Sequence, residues 1–381
     1  MNAPHHFVLG YRPELDGIRA LAVVAVMLLH LGVFLPNGFR VASGGQAGVT
    51  LFFVLSGFLI TTLLLEEWDT RAAFDLGAFY LRRFLRLVPA LLVLIATTMV
   101  LKNLSSIHAV DNRLPDYYTI PYILLFVSNW IHIGHPLALG TLRPTWSLGV
   151  EEQFYIFWPV FLLVLLRCRL RPQRLLSVVL SGILVSTVLR ALLLASGASA
   201  FRIVLGSDTR ADALLFGCAL SLVVRTYQIC PGRWLNLAAP AGLALWVNVV
   251  IFTPVILDGQ ENHLGYSSLP VFSLSAIAGV LLIGGLVLTR GTGMHRVLSS
   301  PISIWIGKRS YGLYLWNVTA YACTPMFGPS GHWHQAVLVL ATLVPVVLSY
   351  ELVERPVLRL KSRLRPSPAL TASVLHSPPV G

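Results

Sequence analysis

Asp16-Gly17-Ile18-Arg19, followed by the apolar run Ala20 to Leu35, decides how the rest of the chain reads. Within that run stands one ionisable residue, His30, eleven positions after Arg19. On a helix, eleven steps give about 16 Å of rise and about 20° of angular offset, so a guanidinium at one end and an imidazole deep in the apolar zone share a face. In a soluble protein a lone histidine on such a face is ordinarily a hydrogen-bonded core residue. Among lipid tails an ionisable side chain is costly and faces a polar interior instead. The choice turns on whether the chain lies in a membrane.

Composition answers that. Of 381 residues, 56% are hydrophobic and 12% charged, and the mean hydropathy is +0.74; a soluble globular chain carries about 25% charged residues. Apolar stretches of spanning length recur from end to end. The net charge of +12 does not indicate a nucleic-acid partner, because the arginines fall between apolar segments, where topology places them, and form no single basic face. Cys168, Cys218, Cys230 and Cys323 have no paired spacing and read as small apolar side chains. With no cleavage pattern at the N-terminus, the first apolar run is expected to stay as a span.

Eleven apolar segments can be marked, at 18–35, 47–65, 84–101, 119–133, 147–166, 175–195, 211–224, 235–257, 269–289, 310–327 and 335–353. With Arg12 and Arg19 inside, two crossings bring Arg71, Arg82, Arg83 and Arg86 to the cytoplasm. If 119–133 does not cross, the clusters Arg167 to Arg174, Arg225 with Arg233, Arg290 to Arg309, and Arg355 to Arg365 all fall inside, while the outer loops 258–268 and 328–334 hold no Lys or Arg. That segment contains Pro121, Asn129 and His132, which suits a re-entrant or interfacial piece. The expected fold is therefore all-α: a polytopic, multi-pass bundle of about ten transmembrane helices plus one re-entrant or interfacial segment, with both termini cytoplasmic. Residues 1–358 read as one membrane domain, and 359–381 as a disordered cytoplasmic tail.

Several side chains could do chemistry. Histidine held away from water is the natural general base near neutral pH. Asp16 is one turn from Arg19 and can pair with it, as any interfacial salt bridge would. Ser56-Gly57 inside a span either lets helices pack closely or leaves room for a slender ligand. Arg82, Arg83 and Arg86 cluster at a helix end; Arg83 and Arg86 share a face and suit phosphate groups, although such arginines also simply orient a span. Glu151 and Glu152 start a later span at its outer end, where the helix dipole favours them; Glu151 could bond an acceptor or orient His30. Asp208-Thr-Arg210-Ala-Asp212 reads as a sugar-binding rim or as a solvated loop. His332-Trp333-His334 lacks a third ligand, so no metal is expected; His5 and His6 lie in a terminus and carry little.

Taken together and in order, these motifs resemble the acyltransferase-3 family of bacterial integral-membrane acyltransferases over about residues 11–358. The matching runs are Arg19 with His30, Phe52-Phe-x-Leu-Ser56-Gly57-Phe, Arg83-x-x-Arg86, Trp146-Ser-Leu-x-x-Glu151-x-x-Phe-Tyr155, Asp208-x-Arg210-x-Asp212, Ser310-Tyr311-Gly-Leu-Tyr314-Leu-Trp and Tyr350-Glu-Leu-Val-Glu354-Arg-Pro. The resemblance implies transfer of an acyl group, often acetyl, from acyl-CoA as co-substrate to a hydroxyl on a carbohydrate or glycosylated acceptor. No cofactor is expected to stay bound. His30 would be the base, with Glu151, Arg19 and Asp16 beside it. Arg83, Arg86 and Arg82, with Ser56 and Gly57, would meet the coenzyme, and Trp146, Tyr155, Asp208, Arg210, Asp212 and Tyr311 the acceptor. The family often has His after the Tyr-Leu-Trp run; here it is Asn317, which argues against a second catalytic histidine. A member without the fused hydrolase-like domain is expected. Membrane lipids are the other expected partners, nucleic acid is not one, and a homo-oligomer is allowed. The rival reading is a proton-coupled transporter or flippase with a His30–Glu151 relay, against which counts the lack of a visible internal repeat.

Overall fold

A computed structural model describes residues 7–34, 44–103, 115, 117–227, 229, 232–252, 269–323, 334–357 and 359. Cys230, His5, His6, the loop 258–268, the side chains of His332-Trp333-His334 and the tail 360–381 lie outside the described residues. The order is α1 (Pro13–Phe34), α2 (Gln46–Arg71), α3 (Leu76–Asn103), a 3-10 turn (Tyr117–Thr119), α4 (Ile120–Leu124), α5 (Ser128–Gly134), a second 3-10 turn (Gly140–Leu142), α6 (Thr145–Arg167), α7 (Pro172–Ala195), α8 (Ala200–Leu205), α9 (Ser207–Thr226), α10 (Arg233–Phe252), α11 (Leu269–Leu288), α12 (Gly293–Leu298), α13 (Pro301–Lys308), α14 (Ser310–Cys323), α15 (His334–Ser349) and a π turn (Tyr350–Glu354). Among the described residues there is no strand, and α2, α3, α6, α7, α10 and α11 are long and apolar enough to cross a bilayer. The chain is an all-α, polytopic membrane bundle.

Two segments depart from a simple reading of apolar runs. Segment 119–133 is not one helix: it breaks at Leu125–Val127, where Phe126 takes a positive φ of 56°, and neither α4 nor α5 has the length to cross. Between α11 and α14 the chain forms α12 and α13, too short to span; Ser300 caps α13 by accepting from the Ser303 N–H, and Pro301 follows it. That Ser-Pro pair is a start signal that hydropathy alone does not register.

Packing depends on close backbone approach, because lipid supplies no hydrophobic drive between helices. A Cβ on Gly57 would stand 1.9 Å from the Leu214 carbonyl oxygen, and one on Gly217 2.0 Å from that of Val54. So α2 and α9 touch along their backbones, and Gly57 is a packing position filled by α9; it leaves no ligand passage. Helix α1 starts with Pro13, Glu14 and Asp16 in its first turn, which suits a helix N-terminus. It runs antiparallel to α2: Leu9 N–H donates to Glu66 near the end of α2 at 2.7 Å, while the far half of α1 packs on Gly45 and Gly48 at the start of α2. The bundle thus has an Arg19 end and a His30 end.

Candidate active site

A cavity of about 320 Å³ lies between α1, α2, α3, α6 and α14. Leu9, Gly10, Leu63 and Phe79 line it toward the Arg19 end, and Val49, Ser147 and Tyr314 toward the His30 end. Arg19, Arg83 and Arg86 all face it, as do Ser56, Glu151, Tyr155 and Tyr311. Single helical turns set this up: Arg83 with Arg86 on α3, Glu151 with Tyr155 on α6, and Tyr311 with Tyr314 on α14.

Two of the three guanidiniums are already engaged. Arg19 Nη1 lies 2.6 Å from Asp16 Oδ1, and Asp16 Oδ2 accepts from Tyr11 OH at 3.1 Å. Asp16 does not line the cavity; it holds Arg19. Arg83 donates to Glu152 Oε1 through Nε at 2.9 Å and Nη2 at 2.8 Å, reaches Glu151 Oε1 at 3.3 Å, and lies 3.4 Å from the centroid of the Tyr155 ring. Glu151 Oε1 also accepts from Tyr155 OH at 2.6 Å and from Ser56 Oγ. Arg86 has no hydrogen-bond or ion-pair partner among the described residues while facing the same cavity. Among the described residues lining the cavity, Arg86 is the guanidinium that no acid bonds, and it is the group best able to receive an anion.

These contacts revise several expectations from the sequence. Glu151 does not stand at an outer mouth and none of its hydrogen bonds goes to His30; it is built into the Arg83 cluster. Arg82 does not line the cavity. Trp146 is buried edge-on to Phe53, with centroids 6.3 Å apart, and is also absent from the lining. Tyr311 does line it and donates to the Leu87 carbonyl at 2.8 Å. The Asp208–Asp212 run forms no rim. Asp208 accepts from Arg202 at 2.8 Å. Asp212 is paired at 2.8 Å with Arg190, both fully buried. Arg210 is buried too, donating to Thr50 Oγ1 at 2.7 Å with its guanidinium 4.4 Å from the Phe272 ring centroid. The wide spacing of Arg190 from this run in sequence hid its partner.

His30 stands beyond the cavity's far end. Its Nδ1 lies 2.7 Å from Asn317 Oδ1, and Asn317 is one helical turn past the lining residue Tyr314. Asn317 is fully buried and directs its amide nitrogen at two carbonyls, Leu313 at 2.9 Å and Tyr314 at 2.7 Å. With both N–H groups donated, its oxygen can only accept, so His30 Nδ1 carries the proton and Nε2 keeps the free lone pair. Sequence reasoning missed this role, yet Tyr311, Tyr314 and Asn317 recur every third residue, the spacing of a shared helix face. Ser147 completes the cavity's far wall, with Oγ 2.6 Å from Tyr314 OH.

A family model for an acyltransferase domain matches residues 12–352. The peptidoglycan O-acetyltransferase OatA of Listeria monocytogenes is 34% identical over 91% of this chain and 56% of its own length. YrhL of Bacillus subtilis, provisionally named a peptidoglycan O-acetyltransferase, is 34% identical over 91% of this chain and 55% of its own length. A protein of Staphylococcus aureus provisionally named an O-acetyltransferase is 30% identical over 91% and 57%. The chain thus spans about half the length of the curated relatives it matches. No solved structure matches it.

Proposed function

Because the chain belongs to the acyltransferase-3 family, we propose that it transfers an acyl group, acetyl first among them, from acyl-CoA to a hydroxyl of a carbohydrate acceptor, with His30 as general base. The names of its relatives make peptidoglycan the leading acceptor class. The observation that carries the reading is the cavity between α1, α3 and α14. It brings the unpaired Arg86 and the Arg19 and Arg83 guanidiniums to one end, and it ends one helical turn short of the His30–Asn317 pair. A donor whose phosphates rest on Arg86 would reach along it with its thioester toward His30, about 16 Å from Arg19 by helical rise. The Arg19 end faces the cytoplasm in this account, as the arginine-rich loops favour.

In the transfer step, His30 Nε2 takes the proton of the acceptor hydroxyl as its oxygen bonds to the thioester carbon. The carbon–sulfur bond then breaks, and the leaving thiolate takes the proton from His30. The His30–Glu151 proton relay of the transporter alternative gains no support, since Glu151 is tied to Ser56, Tyr155 and Arg83. The reading is tested by mass spectrometry of cell-wall glycans from cells with and without the gene. Loss of an acetyl increment, restored by the wild-type gene, supports it; unchanged glycans together with no release of thiol from acetyl-CoA by the purified protein overturn it.

A further inference from the structure

One cation at the His30 end has no acid to balance it. Arg143 occupies the turn between the 3-10 turn Gly140–Leu142 and α6. Its N–H donates to the Gly140 carbonyl at 3.2 Å, and its own carbonyl accepts from the Trp146 N–H at 3.1 Å. The neighbouring Pro144 carbonyl accepts from Tyr314 OH at 3.0 Å. This turn is thereby clamped to α14 one helical turn before Asn317, which in turn holds His30. The Arg143 guanidinium is half-buried and has no acceptor among the described residues. Ser147 Oγ and Tyr314 OH, which line the far end of the cavity, both donate to the carbonyl of Pro144, the next residue in the chain. His132 is buried, 5.4 Å from the Phe201 ring, with Nδ1 unpartnered. The carboxylates of nearby helices are taken: Glu151 and Glu152 by Arg83, Asp208 by Arg202, Asp212 by Arg190.

A guanidinium and an imidazolium in a low-dielectric setting repel. A base that must become cationic is badly served by a fixed cation at the same end of the bundle, unless a negative charge forms between them. Acyl transfer creates that charge as the acceptor oxygen bonds to the thioester carbon and the carbonyl electron pair moves onto oxygen. We propose that Arg143 is a further catalytic residue, donating hydrogen bonds to this oxyanion. The charge is lost again when the carbonyl re-forms, the carbon–sulfur bond breaks and the thiolate takes the proton held by His30. The inference rests on the reading of His30 as base.

The test uses the full chain in lipid nanodiscs with acetyl-CoA, following thiol release to water and to an added chitooligosaccharide. Arg143→Gln is expected to lower kcat about 10²–10³-fold while KM for acetyl-CoA stays within about twofold, and Arg143→Lys to recover part of the loss. If Arg143→Gln does not insert, Arg143→Lys and Arg143→Met are compared in the same assay; Lys active and Met inactive supports the role. Wild-type kcat in Arg143→Gln, or a change in KM alone, with His30→Ala inactive, overturns the Arg143 role and leaves the base intact. Full activity in His30→Ala removes the base and the inference with it.

Discussion

Asn317 gives both of its amide protons to the carbonyls of Leu313 and Tyr314 and turns its oxygen to His30 Nδ1, 2.7 Å away. One neutral side chain thus fixes both the ring orientation and the tautomer of the proposed base, without placing a second charge in an apolar zone. A histidine at this position could also accept from Nδ1, so the amide is one of two ways of leaving Nε2 free.

Asn317→Leu is expected to keep KM for acetyl-CoA and to lower kcat by about 10²-fold, since the ring is misplaced and its tautomer unset. Asn317→His should retain more activity than the leucine variant. Steady-state kinetics on the purified pair decide; equal activity in Leu and wild type would show that the amide does not position the ring.

The two cavity arginines should separate. Arg86→Gln is expected to raise KM for acetyl-CoA with little change in thermal stability, because its guanidinium hydrogen-bonds and ion-pairs with no described residue. Arg83→Gln leaves Glu151 and Glu152 without a counter-charge in a partly buried site, at a cost near the low end of about 3–5 kcal/mol. Thermal unfolding of both variants in nanodiscs, alongside donor titration, checks this; a destabilised Arg86→Gln with unchanged KM would contradict it.

Arg190 and Asp212 should behave as structure. Removing one member of this fully buried pair strands the other, so Asp212→Leu is expected to lose about 3–5 kcal/mol, seen as low membrane abundance. The double replacement Arg190→Leu with Asp212→Leu should recover abundance. Failure of the double variant to recover would contradict the purely structural role, and a stable Asp212→Leu with a raised acceptor KM would return Asp212 to the acceptor site.

Gly57 offers a sharp steric test. Gly57→Val would drive its branched carbons into the Leu214 backbone and should reduce folded protein more than Ser56→Ala does. Ser56→Ala removes one donor to Glu151 and should change kinetics before abundance. Normal folded yield of Gly57→Val with weakened donor binding would restore the ligand-passage reading.

Much of the helix inventory was legible because it rests on local pattern: hydropathy finds α2, α3, α6 and α7, and charge finds where they end. The Arg19–His30 alignment follows from helical geometry alone. What the sequence hid is long-range pairing. Nothing local shows that Arg83 on α3 will be met by Glu151 and Glu152, 68 and 69 residues away, or that Arg190 will neutralise Asp212 from another helix. Placing Glu151 and Glu152 at an outer helix end, and Asp212 in a rim or a solvated loop, overstated the exposed charge. The Asn317 role was hidden likewise: its meaning depends on His30, 287 residues earlier.

The most direct measurement is acetyl transfer by purified His30→Ala in nanodiscs, with folded yield and thermal unfolding matched to wild type. The account expects kcat to fall about 10²–10⁴-fold with binding of acetyl-CoA preserved. A His30→Ala protein that transfers acetyl groups at the wild-type rate would contradict it.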